Sequence, residues 1–121
     1  MTRLKLALFA AILPALLPAA LAQPTPTKAH TALVHALAVS PDGKTVATGG
    51  FDNIIKLWTL APDGTLKEGK ELKGHTGPVY AVAFHPTEPV LVSGSQDKTA
   101  KVWNLNDAKS TAEFKGHTDI V

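Results

Sequence analysis

The chain has 121 residues, a length for one domain, and its 45% apolar and 18% charged residues exclude a disordered tail. Cysteine is absent, which excludes a disulfide scaffold, a thiolate metal site, an iron–sulfur cluster and a cysteine nucleophile. Twelve basic residues stand against ten acidic ones, but two of the basic residues, Arg3 and Lys5, lie in the first five positions. Without them the charges balance, so no basic patch is left to suggest a nucleic-acid partner.

Residues 1–22 have the pattern of a secretory signal peptide. Two basic residues precede the apolar stretch 6–21, and Ala20-Leu21-Ala22 places small residues where a signal peptidase reads them. We therefore expect cleavage after this triplet and an exported protein, either periplasmic or secreted. One alternative is an uncleaved anchor, which would give the protein a membrane contact through this segment alone; the other is an amphipathic soluble helix. The stretch is short for a ~30 Å hydrocarbon core, and two prolines interrupt it.

Residues 23–29, QPTPTKA, predict a linker. Two prolines with threonine and lysine favour an extended, solvated chain. We assign no chemistry to it.

The remainder of the chain repeats itself. Residues 29–60 align without a gap on residues 74–105, an offset of 45 at which eleven of the 32 positions are identical. The identical pairs include the histidines, the turn aspartates and the tryptophans of both units: His30 and His75, Asp52 and Asp97, Trp58 and Trp103. A third unit begins at Gly116-His117-Thr118.

Each unit predicts four short strands with turns between them. In the first unit the strands are 34–39, 45–49, 54–60 and 66–73, and Ser40-Pro41-Asp42-Gly43-Lys44 is a strong turn signal. In the second unit they are VYAVAF, VLVSG, TAKVWNL and STAEFK. The fourth strand of each unit is the most polar. We therefore expect small antiparallel sheets with buried inner strands and a solvated outer strand.

The Gly-His start, the Ser/Thr-Gly-x-x-Asp turn and the strand ending in Trp resemble WD40 repeats, which build the blades of β-propellers. The first unit departs at its start, Ala29-His30, and both units depart from the terminal Trp-Asp, having Trp58-Thr59 and Trp103-Asn104. The resemblance covers residues 29–121. It implies an all-β fold with WD40-like blade 1 at 30–73, blade 2 at 74–115 and the start of blade 3 at 116–121.

Two blades and the start of a third imply an incomplete ring, since propellers close with about four to eight blades. We expect the N-terminal fragment of a longer exported protein, and the alternative is assembly of several short chains into one ring.

The second unit contains His75, Ser93 and Asp97, the residue types of a hydrolase triad. The family resemblance implies instead a structural tetrad, in which Trp103 donates to Ser93, Ser93 bonds His75, and His75 bonds Asp97. The set recurs in the first unit with threonine in place of serine, and no Gly-x-Ser-x-Gly elbow surrounds Ser93. We therefore expect no catalytic residues and two tetrads: His30, Thr48, Asp52 and Trp58, then His75, Ser93, Asp97 and Trp103.

Five histidines raise the question of a metal site. His35 and His85 stand alone at strand ends, without the spacing of zinc ligands, and calcium and phosphate motifs are absent. We expect no metal and no cofactor. The lysines, spread over polar strands and turns, read as an ordinary solvated face.

The function that follows is a non-catalytic scaffold that binds a protein or peptide. The alternative is a propeller segment of a periplasmic enzyme or sensor whose active residues lie in other blades or domains. By resemblance, the residues at the start of the first strand and before the turn aspartate face the top surface: Leu33, His35, Phe51, Pro78, Tyr80 and Gln96. Phe51 and Tyr80 are the strongest candidates for partner binding, because exposed aromatics are enriched in binding hot spots. In the competing interpretation, Phe51 packs against the adjacent blade and Tyr80 lies on the core face of the first strand.

Overall fold

The fold follows from alternating apolar residues interrupted by turn residues, and a computed structural model describes it for residues 28–121. The predicted signal peptide, 1–22, and most of the predicted linker lie outside the described residues. Eight strands follow one another along the chain: β1 (Val34–Val39), β2 (Thr45–Gly50), β3 (Ile55–Leu60), β4 (Leu66–Leu72), β5 (Val79–Phe84), β6 (Val90–Ser95), β7 (Ala100–Asn104) and β8 (Lys109–Phe114).

The strands form two antiparallel sheets, ordered β1-β2-β3-β4 and β5-β6-β7-β8, which we call blade 1 and blade 2. The predicted all-β class is confirmed, and the predicted strands agree with the observed ones to within a residue at each end. Within residues 28–121, no helix is long and apolar enough to cross a membrane.

The turns explain where the strands end. Between β1 and β2, Asp42 Oδ1 accepts hydrogen bonds from the Ser40 hydroxyl at 2.6 Å and from the Lys44 N–H at 3.0 Å. The turn between β2 and β3 needs a residue in the left-handed region, and Asn53 takes it with φ 69°. Lys98 does the same in blade 2 with φ 67°, a conformation that lysine adopts at a cost.

The core lies between the two blades. Ala47, Ile55, Leu57 and Leu72 of blade 1 pack against Val79, Leu91 and Trp103 of blade 2. The blades come closest at Gly49, where a Cβ would lie 2.7 Å from Val79 Cγ1. Glycine is therefore required at this position, since any side chain would push the innermost strand of blade 2 away.

Two blades side by side form an open arrangement and not a closed ring. Outer strand β4 is solvated, as expected, with five of its seven residues exposed. Innermost strand β1 differs from the expectation of burial, since Leu37 is 66% and Val39 51% exposed. These side chains point to the face of blade 1 that blade 2 does not cover.

Candidate partner-binding site

A chain of hydrogen bonds links four side chains in blade 2. The Trp103 indole N–H donates to Ser93 Oγ at 2.8 Å, and Ser93 Oγ lies 2.7 Å from His75 Nε2. His75 Nδ1 lies 2.7 Å from Asp97 Oδ2, so the carboxylate holds the imidazole proton on Nδ1 and leaves Nε2 to accept from the serine hydroxyl. Every polar atom of the chain thereby has a partner, which allows the group to be buried.

Blade 1 contains the same arrangement. The Trp58 indole N–H donates to Thr48 Oγ1 at 2.9 Å, and His30 Nε2 lies 2.8 Å from the same oxygen. His30 Nδ1 lies 2.8 Å from Asp52 Oδ1. The structure therefore brings all eight predicted tetrad residues together as two sets of four.

The two aspartates differ in the hydroxyl donor beside them: Asp97 accepts the Thr99 hydroxyl at 2.6 Å, whereas Asp52 accepts the Thr31 hydroxyl at 3.4 Å. Burial alone would raise the pKa of Asp97, but hydrogen bonds from Thr99, His75 and the Thr76 N–H outweigh burial and hold that pKa well below its usual range. Burial likewise opposes a lowered pKa at Asp52, and the bond from His30 with two backbone N–H groups overcomes it. Both carboxyls are therefore ionised at neutral pH.

Ser93, His75 and Asp97 have the hydrogen-bond order of a hydrolase triad, but their surroundings do not suit catalysis. Ser93 is 2% exposed, and its oxygen already accepts the indole N–H of Trp103. A substrate carbonyl must reach the nucleophile at about 3 Å, and burial between the blades prevents that approach. Within the described residues, no three His, Asp or Glu side chains converge on a position for a metal ion.

Two lysines differ from the predicted solvated face, since Lys101 is buried and Lys56 is half-buried. Lys101 is 8% exposed and not solvated, and its Nζ lies 2.7 Å from Glu113 Oε1. Lys56, at the equivalent position of blade 1, lies 2.6 Å from Glu68 and 3.2 Å from Glu71. The aliphatic stems lie along the sheet, and carboxylates from the outer strand neutralise the charges.

Three of the predicted partner-binding residues form one aromatic patch, which we define as His35, Phe51 and Tyr80. The ring centroids of His35 and Tyr80 lie 4.8 Å apart, those of Phe51 and Tyr80 5.4 Å, and those of His35 and Phe51 5.8 Å. His35 and Phe51 belong to blade 1 and Tyr80 to blade 2, so the patch crosses the joint between the blades. Phe51 contacts the adjacent blade and is nevertheless 36% exposed.

Two β-bulges place the patch at the edge of the sheets. Val34 pairs with Gly50 and Ala36 with Gly49, which leaves His35 as the extra residue of β1. Tyr80 is the extra residue of β5 by the same register shift. The side chain at a bulge does not follow the regular alternation of side chains between the two faces of the sheet. No residue pattern in the sequence predicts either bulge.

The other three predicted residues, Leu33, Pro78 and Gln96, lie beside the patch and are not part of its ring contacts. Leu33 is 62% exposed, and its carbonyl accepts the Phe51 N–H at 2.8 Å. Gln96 is exposed at the equivalent turn of blade 2, where its N–H donates to the carbonyl of half-buried Pro78 at 2.9 Å.

Four-stranded antiparallel blades, each with a buried Trp-Ser/Thr-His-Asp chain, define a β-propeller repeat protein. The family model of the WD domain, G-beta repeat, matches residues 23–59 and 63–104. The chain belongs to the WD40 repeat family, as the sequence predicted. Domains of this family are in general non-enzymatic scaffolds for protein interactions.

Solved structures of WD40 domains are similar to both blades. The crystal structure of RRP9 WD40 repeats is 31% identical with a TM-score of 0.69, over 80% of this chain and 28% of that one. The structure of U3-55K is 30% identical with a TM-score of 0.69, over 82% of this chain and 28% of that one. The anaphase-promoting complex subunit cdh1 of Dictyostelium discoideum is 58% identical over 33 residues, 27% of this chain and 4% of that protein. The chain thus spans less than a third of each of these proteins.

Proposed function

We propose that the chain is part of a non-catalytic scaffold that binds a protein or peptide through the aromatic patch. The observation that carries the proposal is the meeting of His35, Phe51 and Tyr80 across two blades, at the edge of the sheets and in contact with solvent. Aromatic rings supply large apolar contact area with few rotatable bonds, and they are enriched where partner binding is strongest.

The neighbours of the patch support the same interpretation. Leu33 adds an exposed apolar side chain beside Phe51, and Gln96 with Pro78 adds polar and apolar surface on blade 2. An apolar centre with a polar rim is the usual anatomy of a protein interface. The partner that fits is a peptide segment or protein loop carrying an apolar or aromatic side chain.

The patch is tested with peptides selected on the unmodified full chain from a displayed random library. Phe51→Ala and Tyr80→Ala should each weaken the selected peptides about 5- to 30-fold, the equivalent of about 1–2 kcal/mol. Phe114→Ala is the matched control, because Phe114 is 57% exposed on outer strand β8, away from the patch. Melting curves of all three variants should stay near that of the unmodified chain. Lost stability with unchanged peptide binding would assign both aromatics to packing.

We also propose that the protein is exported and that its exported form begins at Gln23. The support is the sequence of residues 1–22, with its charged start, apolar stretch and small-residue cleavage triplet. N-terminal sequencing of the exported material tests it. Finding Met1 on that material would overturn cleavage.

A further inference from the structure

A cleft of about 560 Å³ lies between the two blades at the end of the sheets opposite to the aromatic patch. The turn between β1 and β2 forms one wall, and the turn between β5 and β6 forms the other. Both walls belong to the described residues. Its size suits a few residues of an extended peptide.

The interior of the cleft is apolar. Leu57, which is buried, and Phe84 and Leu105, which are half-buried, line it from both blades. Pro86 and Pro89 line it from the turn after β5. Such a lining favours an apolar side chain, because apolar area leaves water when the side chain enters.

Hydrogen bonds from one lysine join the two blades beside the cleft and fix its width. Lys70 on β4 donates from its Nζ to the Leu105 carbonyl at 3.1 Å and to the Asn106 carbonyl at 2.5 Å. Below the cleft, the buried core joins the same two blades. A ligand would therefore meet a preformed groove and lose little free energy to rearranging it.

His85 gives the cleft a hydrogen-bond donor. Its Nδ1 accepts the Glu88 N–H at 3.0 Å and the Thr87 N–H at 3.3 Å. A neutral imidazole that accepts at Nδ1 carries its proton on Nε2. This N–H is outside the turn's own hydrogen bonds and suits a peptide carbonyl.

Two carboxylates lie on the rim of the cleft. Asp42 of blade 1 and Glu88 of blade 2 are exposed on its two sides. Among the described residues that line the cleft, Lys70 is the one lysine or arginine, and its Nζ is turned to the two carbonyls. Hydrogen bonds from the Ser40 hydroxyl and the Lys44 N–H, together with the positive charge of Lys44, hold the pKa of Asp42 below its usual range. The rim therefore suits a cationic side chain.

We propose that this cleft binds a short, extended peptide segment in which an apolar side chain is followed by lysine or arginine. The apolar side chain lies among Leu57, Phe84 and Leu105, and the cation lies between the carboxylates of Asp42 and Glu88. A peptide carbonyl accepts from His85. The site is separate from the aromatic patch, and either site can exist without the other.

The test titrates the full chain with three labelled five-residue peptides in which leucine is followed by lysine, glutamine or glutamate. Affinity should fall in that order, by about two- to fivefold per step, because the rim carboxylates are exposed and partly screened. Glu88→Lys should reverse the order. The turn is held by the backbone N–H of Glu88, so the substitution leaves that bond in place. Asp119→Lys makes the same change in net charge on the exposed segment after β8 and should keep the original order.

A second variant tests the cleft without changing charge. Thr59 is exposed on β3 and lines the cleft, and Thr59→Trp should fill it and weaken the lysine peptide at least tenfold. Thr118→Trp, on the same exposed segment as Asp119, is the control and should bind as the unmodified chain does. Equal affinity for the lysine and glutamate peptides, or unchanged binding by Thr59→Trp, would overturn the proposal. Phe51→Ala should bind the lysine peptide normally, so a failure of the patch and a failure of the cleft are distinguishable.

Discussion

Asp97→Ala should lower the free energy of unfolding by about 1–3 kcal/mol. The side chain accepts bonds from His75 Nδ1 at 2.7 Å, the Thr76 N–H at 3.0 Å, and the N–H and hydroxyl of Thr99 at 2.9 and 2.6 Å. Water can replace the carboxylate at exposed Thr76. It cannot easily do so at His75, whose side chain is 1% exposed, and an unpaired buried donor accounts for most of the loss.

Asp52→Ala is the matched comparison, because blade 1 has Ile54 where blade 2 has Thr99. Asp52 accepts the Ile54 N–H at 3.3 Å and, in place of the short Thr99 hydroxyl bond, a long bond from the Thr31 hydroxyl at 3.4 Å. The loss on Asp97→Ala should therefore exceed the loss on Asp52→Ala by about 0.5–1.5 kcal/mol. Urea unfolding of the full chain at neutral pH measures both. If Asp97→Ala were as stable as the unmodified chain, the tetrad of blade 2 would not contribute to stability.

The same aspartate predicts the direction of the acid response. Its pKa is lower in the folded chain than the value of about 3.9 expected in the unfolded chain. This contribution to stability is therefore fully present above about pH 4 and is lost as the pH falls towards the folded pKa. Asp97→Asn lacks this titration, so its stability should fall less steeply below about pH 4 than that of the unmodified chain. Parallel acid unfolding curves would contradict the assignment.

Three further substitutions test packing and backbone geometry. Trp103→Ala should lower the free energy of unfolding by about 3–5 kcal/mol, because the side chain is fully buried between the blades. Trp103→Phe should lower it less when both are measured by urea unfolding. Gly49→Ala should lower the free energy of unfolding by about 1–3 kcal/mol, because its methyl group would push on Val79. Adding Val79→Ala to the Gly49→Ala chain should restore part of the lost stability. Lys98→Asn should stabilise the chain by a few tenths to about 1 kcal/mol, because asparagine tolerates positive φ, as Asn53 does in blade 1; a lower melting temperature would refute this.

Much of the fold could be predicted because the sequence contains two copies of the same repeat. The turn residues from Ser40 to Lys44 and the alternation on either side mark β1 and β2, and the offset of 45 transfers the pattern to blade 2. The tetrads could be located for the same reason, since their residue types recur at equal spacing. The resemblance to WD40 repeats implies the order of the bonds among them, and the pairing allows these polar atoms to be buried.

The contacts between blades could not be predicted in the same way. Alternation in residues 34–39 does not reveal that His35 is an extra residue, because a bulge shifts the register without changing the local composition. Asp42 and Glu88 line one cleft although they belong to turns of different repeats, and the buried Lys101 is paired with Glu113 of a neighbouring strand. Such neighbours arise from the stacking and pairing of strands, which a local pattern does not contain.

The bulges at His35 and Tyr80 have a consequence for how such a protein can change its partners. Each residue is the extra one of its strand and is not paired with a residue of the neighbouring strand. A substitution there changes the chemistry of the surface while the register and the core face of the sheet stay as they are. The two blades already illustrate this freedom, with histidine in one and tyrosine in the other on the same backbone. Recognition can therefore diversify blade by blade, largely independently of the interactions that keep the sheets folded.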